Sequence, residues 1–374
     1  MKIALIGTRG IPANYGGFET CAEEIAIGLV EKGHHITVYC RYGNAPGNPV
    51  LYKGVKLIYT PAIKTKQLGT LSHAFFSVVH AMFHNNDVLM IFNAGNSLNC
   101  VLPRIFGKKI AINVDGLEWK RRKWGYVAKK YFLFAERLSS KISHRVVSDA
   151  RAIQKYYAET YKCPSTFIAY GAKIETAENP AVLDTYGVKT GEYFFVASRL
   201  EPENNADITV KAFEKVKTDK KLLIAGGANY KSNFIIELMK TTDQRIKFLG
   251  PIYTSGHIKE LHCGSYAYVH GNEVGGTNPA LLKALGYGNC VLSYNGVYNT
   301  EVVGSAALLY EKSVEDLREK LQFIVDHPEA AKEYRKKAVE RIKECYTWDK
   351  ITDGYERMFE NIMTNYYKTH KESD

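Results

Sequence analysis

Two glycine-rich segments of the sequence have the composition of phosphate-binding turns. In the first, residues 7–19 (GTRGIPANYGGFE), Gly16 and Gly17 stand directly before an amphipathic stretch, residues 18–32. Glycine lets backbone N–H groups approach an anion closely, and the amino end of a helix carries about half a positive charge. This turn is therefore a candidate site for a diphosphate. It matches neither GxGxxG nor GxxxxGK[ST], which disfavours nicotinamide and P-loop sites, and a turn without a ligand is the alternative.

The second segment, residues 270–288 (HGNEVGGTNPALLKALGYG), repeats this design. Asn278 is suited to be a helix N-cap and Pro279 the first helical residue, so a glycine pair again precedes a helix. We expect that helix to begin at the carboxyl end of a strand, where ligands of open α/β sheets bind. The candidate binding residues of this turn are His270, Gly275, Gly276, Thr277 and Asn278.

Two carboxylates follow the apolar run at residues 109–114. They are Asp115 and Glu118, in the segment DGLEW. A carboxylate at the carboxyl end of a strand can bind substrate hydroxyl groups, orient an attacking hydroxyl or accept its proton. Both are predicted catalytic residues, and a capping role before Gly116 is the alternative for Asp115.

A basic and aromatic segment comes next, with further cations and aromatic residues at 129–134. Its residues are Lys120, Arg121, Arg122, Lys123 and Trp124. Cations bind anionic headgroups, and aromatic rings lie at the headgroup level of a bilayer. The segment predicts contact with a membrane or with a substrate held there, and the alternative is a solvated helix face.

Composition narrows the classes of function. The net charge of +11 favours an anionic partner, but no nucleic-acid-binding module is recognisable, so a role with nucleic acid rests on charge alone. The seven cysteines form no CxxC pair, and no histidine spacing indicates a metal site. No apolar run approaches about 18 residues. We therefore expect a cytoplasmic protein without a bound metal.

The elements that would position these residues form two series. Seven short apolar runs occupy residues 2–7, 35–40, 55–61, 87–92, 109–114, 145–149 and 166–171, and six more occupy residues 193–198, 221–226, 246–250, 266–271, 289–294 and 306–310. Short apolar runs alternating with amphipathic stretches predict parallel strands joined by helices. The sequence therefore predicts an α/β protein of two Rossmann-like, doubly wound domains that face each other across a cleft.

The predicted boundaries follow from composition. We expect an amino-terminal domain over residues 1–172, a carboxyl-terminal domain over residues 190–345, and a polar connection between them. Residues 314–368 have helical character, and Pro328 separates the first two helices of this stretch. The last segment, residues 346–374, is predicted to be a helix that packs back on the first domain.

Four motifs give the sequence a family resemblance. They are residues 7–19, DGLEWKRRKW at 115–124, RLEPENN at 199–205 and residues 270–288. In this order they resemble family 4 glycosyltransferases, especially the bacterial rhamnosyltransferase branch. The resemblance implies the GT-B fold, a nucleotide diphosphate-sugar donor, retention of anomeric configuration and no catalytic metal.

The same resemblance assigns further donor-binding residues. Arg199 is implied to contact the donor diphosphate, because its guanidinium pairs with phosphate oxygens in a fixed fork. Many members carry a lysine five residues later, where this chain has Asn204. The positive charge is missing there, so the helix amino ends must stabilise more of the leaving group.

The family's pair of glutamates is also altered. Alignment of LLKALGYG with the usual LLEAMACG places Lys283 at the second acidic position and Gly275 at the first. Glu273, two residues from that register, is a partial substitute as a ribose acceptor. Lys283 leaves four alternatives open: altered nucleotide recognition, a catalytically weak protein, a contact with phosphate or a position on a solvated face.

The resemblance predicts a retaining hexosyltransferase of cell-surface polysaccharide assembly, with rhamnose from dTDP-rhamnose as the donor sugar. Its acceptor is predicted to be a saccharide on a polyprenyl diphosphate, reached by peripheral contact with the inner face of the plasma membrane. Asn204 and Lys283 support an alternative, a non-catalytic or altered-specificity relative that binds sugar nucleotides or polysaccharide.

Overall fold

The chain folds into two compact units. The computed structural model describes residues 1–14, 16–63, 65, 68–121, 124–227 and 233–371, the last seven of these as backbone only. One unit comprises residues 1–170 together with 348–374, and the other comprises residues 171–347. We call them the amino-terminal unit and the carboxyl-terminal unit.

The first thirteen helices and strands belong to the amino-terminal unit. They are β1 (Lys2–Ile6), α1 (Gly17–Glu31), β2 (His35–Arg41), β3 (Leu51–Tyr52), β4 (Val55–Thr60), α2 (Leu68–Met82), β5 (Val88–Phe92), α3 (Val101–Ile105), β6 (Ile110–Asn113), α4 (Tyr126–Ile142), β7 (Arg145–Ser148), α5 (Arg151–Tyr161) and β8 (Thr166–Phe167). Two 3-10 helices, Ala94–Cys100 and Glu118–Lys120, precede α3 and α4.

The strands of this unit form one sheet. Among the described residues its order is β3-β4-β2-β1-β5-β6-β7-β8, and every pairing is parallel except that of β3 with β4. All five residues of β5 are buried, as expected for a central parallel strand covered by helices on both faces. The strand order reverses direction between β1 and β5, so the loops after these strands diverge at the carboxyl edge.

The carboxyl-terminal unit contains the next elements of the chain. They are β9 (Tyr193–Ala197), α6 (Ala206–Phe213), β10 (Lys221–Ala225), α7 (Asn233–Leu238), β11 (Ile246–Gly250), α8 (His257–Gly264), β12 (Ala267–His270), α9 (Pro279–Gly286), β13 (Val291–Tyr294), α10 (Val297–Val303), β14 (Ala307–Tyr310), α11 (Val314–Asp326) and α12 (Pro328–Cys345). Two 3-10 helices cover Pro180–Tyr186 and Pro202–Asn204.

Its sheet has the order β11-β10-β9-β12-β13-β14, all parallel over the described residues. The first strand therefore lies in the middle, as in the dinucleotide-binding Rossmann fold, and the direction of winding reverses between β9 and β12. The loops that leave β9 and β12 begin side by side at this reversal. The core is aromatic, with Phe194, Phe213 and Tyr310 buried.

The last helix, α13 (Trp348–Lys371), belongs to the amino-terminal unit. Its buried residues recur with helical spacing and pack toward α1: they are Ile351, Tyr355, Met358, Phe359 and Ile362. Lys32, just after α1, pairs with Asp353 at 2.7 Å and with Glu356 at 2.8 Å. A Cβ on Gly28 of α1 would lie 2.8 Å from the Thr352 hydroxyl, so a glycine allows this close contact.

The predicted fold is confirmed: two α/β units with parallel, Rossmann-like sheets. Each of the thirteen apolar runs contains a strand. The last run of the first series, residues 166–171, keeps only β8, because pairing with β7 extends over two residues. The sequence reading missed β3, a two-residue strand that turns back on β4. Among the described residues, no helix combines the length and the apolar character needed to cross a bilayer.

Candidate functional site

A pocket opens at the carboxyl edge of the carboxyl-terminal sheet. Its volume is about 640 Å³ including its open mouth, and it lies at the ends of β9, β10 and β11. The residues that line it are Ala197, Ser198, Arg199, Ala225, Gly226, Gly227, Pro251, Ile252, Tyr253 and Ile258. One side is thus apolar and aromatic, while the other presents a guanidinium and glycine backbone. Such a pocket suits a ligand with a flat apolar part and an anionic part.

Glycine is required where β10 ends. Gly226 has φ +132°, and a Cβ on it would lie 1.8 Å from the Ser198 carbonyl oxygen. Around it, the Ser198 N–H donates to the Ala225 carbonyl and the Leu200 N–H to the Gly227 carbonyl. The loop after β9 therefore lies directly on the glycine pair, which holds Arg199 at the pocket. The sequence reading missed Gly226 and Gly227, although a glycine pair directly after an apolar strand is a detectable signal.

Asparagine side chains fix the loop that carries Arg199. The Asn204 amide donates to the Arg199 carbonyl oxygen at 2.7 Å, so Asn204 closes the loop. The next residue, Asn205, donates to the Gly271 carbonyl at 2.8 Å and to the Glu273 carboxylate at 2.7 Å. Asn205 thereby links the loop after β9 to the loop after β12 across the reversal of the sheet. Nothing in the sequence distinguished Asn205 from its neighbour.

The second glycine turn has the predicted cap. Asn278 is the N-cap of α9, its side chain accepts the Ala280 N–H at 2.9 Å, and Pro279 is the first helical residue. The first turn of α9 contains no acidic residue. A smaller depression, about 210 Å³ including its open mouth, lies at this helix end and is lined by Asn272, Glu273, Val274, Gly275, Gly276, Asn278, Gly296, Tyr298 and Asn299. The first turn of α9 thus adds no negative charge to this depression, but Glu273 lines it, the Ala280 N–H is already bonded to Asn278, and Pro279 has no N–H.

The other predicted residues of this segment have different surroundings. Glu273 accepts from Asn205 and pairs with Lys312, so its carboxylate is already engaged. Thr277 is buried. His270 ends β12 and is buried, and burial lowers the pKa of its imidazole to about 3, so it stays neutral. Lys283 is exposed on α9 and is not among the described residues that line either pocket.

In the amino-terminal unit, the carboxyl edge of the sheet carries a pair of carboxyl groups. Asp115 follows β6, Asp149 follows the adjacent β7, and their side chains share a hydrogen bond. The Tyr170 hydroxyl donates to Asp115 Oδ1 at 3.4 Å. Burial raises the pKa of Asp115, whereas the charge of Arg121 lowers it. The sequence reading assigned Asp149 to the strand region and missed its pairing with Asp115.

The backbone at Asp115 is held in an unusual conformation. Its φ is +50°, in the left-handed region that few residues other than glycine adopt. The Asp115 N–H donates to Asn113 Oδ1 at 3.0 Å, and Asn113 Nδ2 donates to the Tyr355 hydroxyl of α13 at 2.9 Å. Both Asn113 and Tyr355 are fully buried. The last helix therefore supports the loop that directs the Asp115 carboxylate.

Glu118 and the basic segment stabilise their own loop. Glu118 accepts the Trp124 indole N–H at 3.0 Å and pairs with Arg121 at 2.7 Å. Trp124 also packs on Phe132 with ring centroids 5.1 Å apart, while Lys120 is exposed. Trp124 is thus turned toward the protein rather than outward. The predicted residues Arg122 and Lys123 lie outside the described residues.

The first glycine turn is partly occupied by the helix that it precedes. Gly16 is the N-cap of α1, with extended backbone. The carboxylate of Glu19, in the first turn, accepts the Arg9 N–H at 3.0 Å, and that of Glu23 accepts the Ala13 N–H at 2.6 Å. Two amide groups of this turn are therefore satisfied from within. The assignment of Gly16 and Gly17 to an anion site stays a prediction.

The structure brings Arg199, Asn204 and the predicted donor residues of 270–278 to one edge of the carboxyl-terminal sheet, in the loops after β9 and β12. The other predicted donor residues lie elsewhere: Gly16 and Gly17 are at the start of α1 in the amino-terminal unit, and Lys283 is within α9. The predicted catalytic residues lie in the loop after β6. Among the described residues, no group of three or more histidine, cysteine, aspartate or glutamate side chains is arranged to hold a metal ion.

Two family models match the chain. Residues 185–341 match the family described as glycosyl transferases group 1. Residues 1–173 match a family described as a domain of unknown function, DUF1972. None of the curated proteins matches the sequence.

Solved structures match both units together. Sucrose-phosphate synthase from Thermosynechococcus elongatus is 15% identical, with a TM-score of 0.80 over 97% of this chain and 99% of that chain. HepE from Anabaena, in complex with UDP, is 14% identical with a TM-score of 0.77 over 96% of this chain and 100% of that chain. WaaG, a glycosyltransferase involved in lipopolysaccharide biosynthesis, is 15% identical with a TM-score of 0.69, over 91% and 95% of the two chains.

Proposed function

Because the chain is a glycosyltransferase with the GT-B fold, we propose that it binds a nucleoside diphosphate-sugar in its carboxyl-terminal unit and transfers the sugar to a saccharide carried on a lipid. The observation that carries this proposal is the pocket at the ends of β9, β10 and β11, with Arg199 on its wall. HepE, a structural neighbour, was solved with UDP and with UDP-glucose, which supports a donor of this class.

In the proposed complex the parts of the nucleotide are held by the pocket and by the neighbouring depression at the amino end of α9. Pro251, Ile252 and Tyr253 offer an apolar surface for the base, and Tyr253 is 87% exposed and able to stack on it. Arg199 then holds the diphosphate through charge-assisted hydrogen bonds, and the positive end of the α9 dipole favours its negative charge. These positive groups stabilise the charge that develops on the departing diphosphate.

Transfer then proceeds with retention of configuration. The bond between the anomeric carbon and the β-phosphate oxygen breaks, a bond to the acceptor oxygen forms on the same face, and the acceptor proton passes to the departing phosphate. No protein nucleophile takes part, so catalysis depends on positioning and electrostatics. Asp115, with Glu118 beside it, binds the acceptor and orients its hydroxyl group.

The proposal extends to the identity of the donor sugar, the acceptor and the place of the reaction in the cell. We propose rhamnose from dTDP-rhamnose as the transferred sugar and a polyprenyl-diphosphate-linked saccharide as acceptor, in cell-surface polysaccharide synthesis at the cytoplasmic face of the plasma membrane. Transfer is proposed to need no metal ion, because Arg199 and the helix amino end supply positive charge. Undiminished transfer in EDTA is the expected result.

The test has two steps. Calorimetric titration with uridine, deoxythymidine and guanosine diphosphate-sugars identifies the donor, and a transfer assay on lipid-linked N-acetylglucosamine then measures activity. Arg199→Ala should weaken donor binding by about tenfold to a hundredfold, since a hydrogen bond to a charged group contributes about 1.5–3 kcal/mol. Arg318→Ala, on α11 and paired with Glu315, is the matched control and should leave binding unchanged. If no nucleotide of the three classes binds, the proposal is wrong.

A second candidate function follows from three residues of the same unit. Asn204 closes its own loop, Glu273 is engaged by Asn205 and Lys312, and Lys283 is exposed at the family's acidic position. These features favour a relative that binds sugar nucleotides without transferring the sugar. Tight donor binding combined with neither donor hydrolysis nor transfer would establish it.

A further inference from the structure

Helix α2 leaves its largest apolar side chains exposed. Its buried side consists mostly of small residues, Gly69, Ala74, Ser77, Val78 and Ala81, together with His73. On its other side the aromatic residues Phe75 and Phe76 are 48% and 40% exposed, and Phe83, just past its end, is 81% exposed. A helix of a globular protein normally directs such large apolar side chains toward the core. The outer side of α2 is therefore available to an apolar partner.

The next segment continues this pattern. Leu98 and Leu102 are exposed on the 3-10 helix and on α3, and Ile105 and Phe106 are 74% and 67% exposed where α3 ends. Their spacing of four, three and one residues places them on one side of the helical segment. Four large apolar side chains thus lie outward over nine residues.

Hydrogen bonds join these segments and α4 into one layer. The Asn99 side chain donates to the Leu71 carbonyl at 3.0 Å, and Lys108 Nζ donates to the His84 carbonyl at 3.0 Å. On the other side, the Ser97 hydroxyl donates to the Ala135 carbonyl of α4 at 2.8 Å. The outer sides of α2, α3 and α4 therefore form one continuous surface, which we call the α2–α4 face.

The charge of the α2–α4 face has one sign. Residues 68–84, 94–108 and 124–142 contain six lysine or arginine residues and a single acid, Glu136, which is buried. The outer side of α4 mixes both characters, because its exposed residues at helical spacing are Val127, Lys130, Phe134, Arg137 and Lys141. Apolar side chains and cations thus share this surface, and the described residues place no exposed acid on it.

We propose that the α2–α4 face docks the protein on the surface of an anionic lipid bilayer. The apolar side chains enter the boundary between headgroups and acyl chains, and the cations pair with lipid phosphates. A positively charged face without exposed acids complements the phosphates of an anionic lipid surface, whereas a second copy of the same face would place like charges opposite each other. The proposal rests on the proposed function for its purpose, which is access to a lipid-linked acceptor.

This surface differs from the basic segment that the sequence suggested for the membrane. There Trp124 packs on Phe132 and Arg121 pairs with Glu118, so both face the protein. Exposed aromatic and aliphatic side chains lie instead on the helices before and after that segment.

Vesicle co-sedimentation tests the proposal with the full chain. We expect binding to vesicles of equal parts phosphatidylglycerol and phosphatidylcholine, and little binding to phosphatidylcholine alone. Ile105→Ser with Phe106→Ser should lower the partition coefficient by at least about tenfold. Lys130→Glu with Arg137→Glu and Lys141→Glu should lower it by a similar factor, and less at high salt.

Matched variants in the carboxyl-terminal unit control for hydrophobicity and charge. Ile236→Ser with Met239→Ser changes residues that are 56% and 57% exposed, and Lys215→Glu with Lys240→Glu and Lys332→Glu makes the same charge change. Both should bind vesicles like the unaltered protein, and equal losses in the controls would overturn the proposal. So would a dimer in analytical ultracentrifugation that the Ile105 and Phe106 changes convert to a monomer without any vesicle binding.

The assay contains neither donor nor acceptor, so the two proposals fail separately. If the protein binds the donor but the face variants do not alter vesicle binding, the proposal for the α2–α4 face is wrong and the proposed function stands. If the face variants abolish vesicle binding but the protein binds no donor, the proposal for the face stands and the proposed function is wrong.

Discussion

The two units share one winding order but differ in the chemistry at the carboxyl edges of their sheets. In each, the first strand lies centrally and the order reverses beside it, between β1 and β5 or between β9 and β12. In the carboxyl-terminal unit this edge presents glycine backbone, Arg199 and the amino end of α9, whose first turn has no acidic residue. In the amino-terminal unit it presents the carboxyl groups of Asp115 and Asp149.

The difference shows how loops specialise a shared topology. Both units place a glycine turn before a helix, but only α1 brings carboxylates to its own turn, through Glu19 and Glu23. The first turn of α9 carries no acidic residue. An edge with carboxyl groups suits hydroxyl-bearing ligands instead, because carboxylates accept hydrogen bonds from hydroxyls. The proposed function therefore assigns the donor to the carboxyl-terminal unit and the acceptor hydroxyl to the amino-terminal unit.

The largest expected effect comes from a substitution at the carboxyl edge of the sheet in the carboxyl-terminal unit. Gly226→Ala would place a Cβ 1.8 Å from the Ser198 carbonyl at a φ of +132°. We expect it to lower the free energy of unfolding by about 3 kcal/mol or more and to abolish donor binding. Gly256→Ala has φ +80° with open space around the added atom, and should cost about 1 kcal/mol. Urea unfolding and calorimetry measure both, and equal losses would contradict the steric argument.

The next effect is on turnover, and it tests the carboxyl edge of the sheet in the amino-terminal unit. Asp115→Asn should lower kcat by about a hundredfold with donor affinity unchanged, because correct orientation of the reacting hydroxyl group contributes factors of this size. Glu118→Gln should lower kcat less than about tenfold, since Glu118 is already engaged by Trp124 and Arg121. Undiminished turnover of the Asp115 variant would remove this residue from the site.

A third effect is the pH dependence of stability in the amino-terminal unit, where Glu136 is buried on α4. Burial raises the pKa of Glu136 to about 7 from its ordinary 4.5, against hydrogen bonds from Tyr156 and Tyr161. The folded state disfavours the ionised form, so stability falls as pH rises from about 4.5 to about 7. Glu136→Gln should therefore raise the free energy of unfolding by about 2 kcal/mol at pH 8. A variant that shows the same pH dependence of stability as the unaltered protein would contradict this.

The smallest effect sharpens the donor assignment. Lys283→Glu restores an acidic side chain at the position where the family resemblance implies a ribose contact, and should tighten binding of the donor identified by titration by about threefold to tenfold. Lys211→Glu, exposed on α6, makes the same charge change away from the pockets. Calorimetry should show no gain for this control. Equal changes in both variants would mean that position 283 acts through net charge alone.

Local patterns in the sequence predicted most of the framework. Runs of apolar residues located thirteen strands, and Asn278 with Pro279 located the start of α9, because strand burial and helix capping depend on neighbouring residues. The three last helices, α11, α12 and α13, also follow from their own periodicity. Such features need no knowledge of distant contacts.

The site was predicted in part. The loop positions of Arg199 and Asp115 follow from strand ends, but their partners do not. Asn205 lies 66 residues before Gly271, and Tyr355 lies 242 residues after Asn113. Pairs so far apart meet only after both strands have entered the sheet, so no local pattern identifies them.

By itself, the sequence determined the alternation of strands and helices, the glycine turns and the residue types placed beside them, because each depends on a few neighbouring side chains. Tertiary structure alone decided which side of α2 is buried and which acid pairs with Asp115. It also decided which backbone N–H groups donate to Glu19 and Glu23. These outcomes depend on atoms brought together from distant parts of the chain, where packing and hydrogen bonding override the preference of any single segment.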